Sequence, residues 1–244
     1  MNTIKKGIPS FFTSLGLLSG CVSVILSISY KDLTLAGYFI LIAAVFDFVD
    51  GFAARLVNYV SEFGKQLDSL ADVVSFGVAP SMILYRLIEL SLVKTAPEAD
   101  FDYMNPSTLH SVLLFSAFLV TVFSALRLAR FNLDPGQTKS FKGLAVPANA
   151  ILISGLGFAA ESGMNVVLNP YLLAGVIVIS CYLLVSNIRM FSFKFSDYSL
   201  RNNLIKYIFL LLSVILLIVL GWPGLTAVIV LYILLSVTDN ALNK

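Results

Sequence analysis

Charge is what this chain has least of. Of its 244 residues only 12% are Asp, Glu, Lys or Arg, about half the share usual in a soluble domain. Histidine occurs once, as His110, which excludes His-based zinc sites and catalytic triads. Cysteine occurs twice, and Cys21 and Cys181 both sit inside apolar runs, so no disulfide framework or thiolate metal site is encoded. A net charge of +2 gives no reason to expect nucleic acid or another polyanion as a partner. Any chemistry must therefore be run by carboxylates. What the chain has in abundance is apolar sequence, 58% of residues, with a mean hydropathy of +0.92. It reads as an integral membrane protein.

Apolar stretches of 16 or more residues fall at about 11–29, 33–55, 65–91, 109–131, 145–160, 170–187, 204–220 and 222–238. A helix needs roughly 17–25 residues to cross the hydrocarbon core. The runs lack period-2 alternation and exceed the ~9–11 residues of a barrel strand. The expected fold is all-α, a polytopic bundle of about eight transmembrane helices. The first run is too long for a signal-peptide core and no small-x-small site follows it, so it is read as a retained span. The stretch 188–203, which interleaves Arg, Lys and aromatics, reads as an interfacial anchor.

Basic residues set the orientation. With the N-terminus inside, Lys5, Lys6, Arg55, Lys65, Arg127, Arg130, Lys139, Lys142, Arg189, Lys194, Arg201, Lys206 and Lys244 are cytoplasmic, thirteen of the 16. Lys31, Arg86 and Lys94 remain outside, beside Glu98, Asp100 and Asp102. This split is a positive-inside pattern, and an even number of spans returns the C-terminus to the cytoplasm.

Four aspartates lie where charge is expensive. Asp47 and Asp50 fall inside the second span, Asp68 and Asp72 inside the third. An ionised Asp within a span costs at least ~2.5–3.5 kcal/mol, so an intramembrane cluster points to function. Asp47, Asp50 and Ala54 share one helical stripe (i, i+3, i+7), and Gly64, Asp68 and Asp72 share another (i, i+4, i+8). A turn near 56–64 makes the two helices antiparallel neighbours, and residues at matched depth then have numbers summing to about 121. Asp50 lies level with position 71, next to Asp72, with Asp47 one turn deeper and Asp68 one turn nearer the cytoplasm, all within roughly 4–14 Å of the cytoplasmic helix ends. The four can converge. Ionised carboxylates at that spacing need a cation. An all-oxygen set without His or Cys selects Mg²⁺, Mn²⁺ or Ca²⁺, and four Asp suffice for two ions about 3.5–4 Å apart. Gly51, Ala54 and Gly64 leave room for a ligand or a partner backbone. A divalent-cation transporter would instead place acids near the midplane with a charged path from outside, and no such path is encoded.

The pattern Asp47-x-x-Asp50-Gly51-x-x-Ala54-Arg55, eight residues, Gly64-x-x-x-Asp68-x-x-x-Asp72 resembles in full the signature of the CDP-alcohol phosphotransferase family. The resemblance implies a homodimeric helical membrane enzyme with a cytoplasm-facing cavity. Asp47, Asp50, Asp68 and Asp72 would bind two Mg²⁺ or Mn²⁺ ions and Asp72 would double as general base, while Gly51, Ala54, Arg55 and Gly64 would lie against the CDP moiety. DSLADVVSFGVAP (68–80), RLARFN (127–132) and FKGLAVPANA (141–150) resemble the bacterial and archaeal phosphatidylserine synthases within that family. That implies CDP-diacylglycerol and L-serine as substrates, at a prokaryotic cell membrane, with no nucleic acid involved. The resemblance is strong over residues 5–150, so 1–160 are expected to form the catalytic core and 161–244 to complete the bundle. Two departures stand out. The family-like start appears as Pro9-Ser10, Thr13 and Gly16 without its two Asn, and Ala145 and Asn149 replace a Pro and an Ala.

Arg127 and Arg130 are i, i+3 near the cytoplasmic end of the fourth span, at a depth comparable to Asp68. Such a pair suits a carboxylate or phosphate because the guanidinium fork matches planar oxyanions. Arg127, Arg130, Asn132 and Lys142 are the candidates for binding serine. Acceptors such as glycerol 3-phosphate or an inositol compound are the alternative, and would call for a larger basic cluster or many hydroxyl partners.

Overall fold

The structure, a computed structural model, describes residues 2–57, 61–95, 108–133, 142–191 and 203–242. Among these the chain is built of helices: α1 (Asn2–Ile25), α2 (Leu33–Val57), α3 (Glu62–Asp72), α4 (Ala79–Thr95), α5 (Thr108–Ser116), α6 (Leu119–Leu133), α7 (Val146–Glu161), α8 (Pro170–Val185), α9 (Leu204–Leu220) and α10 (Gly224–Leu242). The one β-bridge joins Lys142 to Arg189. Five helical rods are long and apolar enough to span a bilayer: Ile8–Tyr30, Leu33–Leu56, Glu62–Thr95, Thr108–Leu133 and Gly224–Ala241. Val146–Glu161, Pro170–Val185 and Leu204–Leu220 are shorter apolar helices. Together they reproduce the eight apolar runs of the sequence. The protein is a polytopic membrane helix bundle.

Helix ends follow local chemistry. Lys31 closes the π-helical extension of α1 in the left-handed region, and the Asp32 carboxylate then accepts from the Leu35 amide, 2.7 Å. Ser61 caps α3 by accepting from the Gly64 amide, 2.9 Å, which satisfies one of the unpaired donors of the first turn. Asn169 caps α8 ahead of Pro170, whose missing N–H costs nothing at a first helical position.

The third rod matters most for the site. α3 and α4 are continuous through a π-helical segment, Val73–Val78, that begins immediately after Asp72. A π turn inserts an extra residue and shifts the phase of everything beyond it. The half-buried Asp68 and Asp72 can thus face α2, while Phe76, Ala79, Ile83 and Leu87 are directed into the central core with Leu33 and Ile40 of α2 and Ile153 of α7. Large apolar side chains such as Phe48, Val178 and Ile218 remain exposed on the outside of the bundle, as expected for surfaces solvated by lipid chains.

α1 packs along α2 and against the π segment. The contact is tight at Gly20, where an added Cβ would lie 2.5 Å from Ser75 Oγ and 2.7 Å from Ser75 Cα. The same close approach lets the Ser75 hydroxyl donate to the Gly16 carbonyl, 3.0 Å. Close backbone contact through small residues is how helices associate where lipid removes the hydrophobic drive. Gly20→Ala should therefore destabilise the bundle by about 1–3 kcal/mol through overpacking against backbone. Gly175→Ala, whose Cβ meets nothing within 4 Å, should be neutral or mildly stabilising. Thermal unfolding of the two variants in the same detergent checks the contrast.

Candidate active site

Asp47 and Asp50 project from α2 and Asp68 from α3, so that one carboxylate oxygen of each lies within 4.8 Å of the others. Asp50 is the most buried, 6% exposed. It accepts from the Thr13 hydroxyl at 2.6 Å, a short charge-assisted bond that α1 brings in from 37 residues away. The same hydroxyl lies 3.0 Å from the Pro9 carbonyl, but one proton serves one acceptor at a time and the carboxylate is the closer. Asp72 stands outside the trio. It lines the same small inner cavity as Asp47, Asp50 and Asp68, near enough for their charges to interact, and it also feels the charge of Arg127.

Two cavities meet at Thr13, Asp50 and Asp68. The inner one, about 10 Å³, is bounded by Gly16, Ala71, Asp72 and Ser75, room for about one water-sized group. The outer cleft, about 180 Å³, is lined by Pro9, Ser10, Gly51, Ala54, Gly64 and Lys65. The notable spaces differ in cause. At Gly51 an added Cβ would meet nothing within 4 Å, so that residue leaves the cleft open, whereas at Gly64 it would press to 2.9 Å from the capping Ser61 hydroxyl. Arg55 is not part of the lining. Its Nε turns back to donate to the Gly51 carbonyl, 3.0 Å, beside the cleft.

These residues fit a hard divalent cation. Three carboxylates converge, yet among the described residues no Lys or Arg forms a salt bridge within 4.0 Å of any of the three. A cluster of anions without a protein cation, in an all-oxygen donor set, is the arrangement that Mg²⁺ or Mn²⁺ compensates.

The cationic candidates occupy another wall. Asn132 donates from Nδ2 to Ser69 Oγ, 2.7 Å, which sets α6 in antiparallel register against α3. Arg127, five residues deeper by roughly 7.5 Å, is then level with Asp72–Ser75 rather than with Asp68. It is 8% exposed and its Nε has no hydrogen-bond partner. Arg130 is exposed and committed to protein, donating to the Val185 carbonyl at 3.2 Å and to Asn187 Oδ1 at 3.1 Å. Arg127, Arg130 and Lys142 line one small pocket with the end of α8. Asn132 does not line it. Asn149 is fully buried in α7 with both amide atoms unpaired, lining none of these cavities.

Sequence reasoning did not assign Thr13 its bond to Asp50, nor place Lys65 in the cleft or Asn187 beside Arg130. Thr13 belongs to the family-like start, a signal that could have pointed to it. For Asn187, 57 residues from Arg130, there was none.

A helical membrane bundle with clustered carboxylates at a cleft defines a class of integral membrane protein built around a polar intramembrane site. The chain belongs to the CDP-alcohol phosphatidyltransferase family, whose model matches residues 6–238. It is 33% identical over 206 residues to the CDP-diacylglycerol–serine O-phosphatidyltransferase of Helicobacter pylori strain J99, covering 83% of this chain and 79% of that protein. The protein of the same name from Methanocaldococcus jannaschii is 32% identical, covering 86% and 83%. That from Bacillus subtilis is 33% identical, covering 77% and 91%.

The Thr13–Asp50 bond makes a specific demand on metal binding. Thr13→Val should weaken Mn²⁺ affinity about 10- to 100-fold, the usual effect of losing a group that orients a ligand, and Thr13→Ser should retain it. Electron paramagnetic resonance titration of free Mn²⁺ against the purified variants reads this without any turnover.

Proposed function

We propose that the protein transfers the phosphatidyl group of CDP-diacylglycerol to the hydroxyl of L-serine, giving phosphatidylserine and CMP. The observation that carries the reading is the pairing of a carboxylate cluster at an open cleft with a separate buried cation, Arg127, in a basic pocket of its own. Family membership and the activity named for the three relatives support it.

Asp47, Asp50, Asp68 and Asp72 would hold two Mg²⁺ or Mn²⁺ ions. When bound, such ions neutralise the pyrophosphate and stabilise charge on the leaving CMP oxygen. The chain's own residues do the rest. Thr13 keeps the Asp50 carboxylate in one orientation. Gly51, Ala54 and Gly64 leave the cleft wall low enough for the CDP moiety, with Arg55 and Lys65 beside it as positive charges for phosphate. Arg127 holds the serine carboxylate, and because two carbons separate that group from the hydroxyl, the nucleophile is delivered toward Asp72. Asp72 takes the hydroxyl proton as oxygen attacks the lipid-side phosphorus. In a loose phosphoryl-transfer transition state a weak carboxylate base is sufficient. The acyl chains remain in lipid throughout.

In this reading both termini and the cleft face the cytoplasm of a prokaryotic cell, as the basic-residue split indicates, and the enzyme works as a homodimer, as its family resemblance implies. Positions 60, 100 and 136 lie outside the described residues. Cysteines placed at 60 and 136 should label from the cytoplasmic side and one at 100 only from outside. Labelling of 60 and 100 from one side would overturn the topology.

The deciding experiment supplies purified protein with CDP-diacylglycerol and labelled serine, glycerol 3-phosphate or inositol, with Mn²⁺ and after metal stripping. Serine alone should be converted, and only with metal. Asp72→Asn should abolish turnover while CDP-diacylglycerol binding survives. Arg127→Ala should raise the KM for serine about ten- to a hundredfold, from the loss of a charge-assisted bond of roughly 1.5–3 kcal/mol, and leave that for CDP-diacylglycerol little changed. Equal loss for both substrates would make Arg127 a phosphate ligand.

A further inference from the structure

The pocket lined by Arg127, Arg130 and Lys142 is closed by a segment outside the family signature, the end of α8 and the strap that follows it, with Ser186 and Asn187 in its wall. The sequence suggests an interfacial anchor from residue 188 onward. Its first residues, up to Phe191, are tied to the bundle, with Met190 buried and Arg189 exposed, while 192–202 lie outside the described residues. The Gly143 amide donates to the Ile188 carbonyl, 2.8 Å, and the Leu144 amide to the Leu183 carbonyl, 2.9 Å. Gly143 has φ +75°, and a Cβ there would approach three strap and α8 carbonyls at 2.9–3.0 Å, so the contact depends on glycine. Met190 is buried with Leu144 and Leu183. From α10, the Tyr232 hydroxyl donates to the Phe191 carbonyl, 3.0 Å, and Asn240 bonds the Arg189 carbonyl. The Phe191, Phe209 and Tyr232 rings meet edge to face.

This wall has a chemical direction. A guanidinium can only donate, so Asn187 presents its oxygen to Arg130 and its NH₂ lies on the opposite side. No acidic side chain lines the pocket. Arg127, nine-tenths buried, brings an Nε without a partner, the sign of a donor awaiting an acceptor. At about 10 Å³ the pocket suits the oxygen end of a small anion rather than a sugar phosphate.

We propose that the strap Ser186–Phe191 is the acceptor-selecting wall of the site. Asn187 fixes Arg130 and adds an amide donor for the acceptor's carboxylate, and Tyr232 is a positioning residue that holds the strap in place through the Phe191 carbonyl. The last span thereby shapes acceptor binding. The inference rests on reading the pocket as the seat of the acceptor carboxylate. The other oxyanion that could occupy it is a phosphate of the CDP-linked donor, and the kinetics separate the two.

The test measures CMP release by the full chain in mixed micelles, varying serine and CDP-diacylglycerol separately. Asn187→Asp sets a carboxylate against Arg130 and should raise the KM for serine about tenfold or more, with kcat and the KM for CDP-diacylglycerol held within about twofold. Asn187→Ala should show a smaller rise. Tyr232→Phe, which loses one neutral hydrogen bond, should raise the KM for serine about two- to tenfold. Should Asn187→Asp fail to fold, the milder Asn187→Ala and Tyr232→Phe carry the test. An unchanged KM for serine in these variants, while Arg127→Ala raises it, overturns the strap's role and spares the pocket reading. A fall in kcat alone makes the strap merely structural and also overturns it. A rise confined to the KM for CDP-diacylglycerol makes the pocket a phosphate site, and Arg127→Ala with an unchanged KM for serine removes the pocket reading itself.

Discussion

The cost of holding carboxylates inside a membrane-spanning bundle is the constraint on which the rest of this structure depends. Asp47 and Asp50 sit on an apolar helix, and Asp68 and Asp72 on the amphipathic start of a rod whose continuation enters the dry core. Such groups must either find compensation or be excluded. Compensation here has two visible parts. Thr13 donates to the most buried carboxylate, and the convergence of three side chains within 4.8 Å builds a place for a divalent cation that, among the described residues, no Lys or Arg fills. The helix packing serves the same end. The close approach of α1 at Gly20 and Ser75 brings Thr13 into range of Asp50, and the π segment after Asp72 lets one rod face the acids at one end and the apolar core at the other.

Charge is then divided in space. The acids belong to α2 and α3, with a cleft open beside them, and the buried cation belongs to α6. Arg127 lies at the seam, interacting with Asp72 on one side and lining a basic pocket on the other. A site arranged this way matches a pair of substrates of unlike chemistry. One is a diphosphate that needs cations held by the carboxylates, the other a small acceptor whose own carboxylate must be kept apart from them. Low dielectric surroundings strengthen both attractions and make a misplaced charge expensive, which favours order in how the two are bound.

Much of this was legible from residue order. The eight apolar runs became eight helical rods because hydrocarbon demands that each segment satisfy its own backbone hydrogen bonds. Helical spacing of Asp47 with Asp50, and of Asp68 with Gly64, put those side chains on shared faces, and the third rod does run beside α2, meeting it through the π segment and α4. The depth of Arg127 was not legible. It depends on the register of α6 against α3, fixed by Asn132 and Ser69 across 63 residues, and no local pattern encodes such a pairing. The hydrogen bonds at the front of the 188–203 stretch were not legible for a related reason. Its basic and aromatic composition suggests an interface anchor, and says nothing of the partners its backbone finds in Gly143 and Tyr232.

By itself, then, the sequence determined the membrane class, the number of rods and the faces on which the acids lie, since hydropathy and helical periodicity are local properties set within a few turns. Tertiary structure alone decided which three acids close on one another, that Thr13 holds Asp50, that Arg127 reaches the level of Asp72, and that a strap tied to the last helix walls the basic pocket. Those outcomes depend on relative translation and rotation of rigid helices, where a shift of one residue, about 1.5 Å along the axis and 100° around it, separates a contact from its absence.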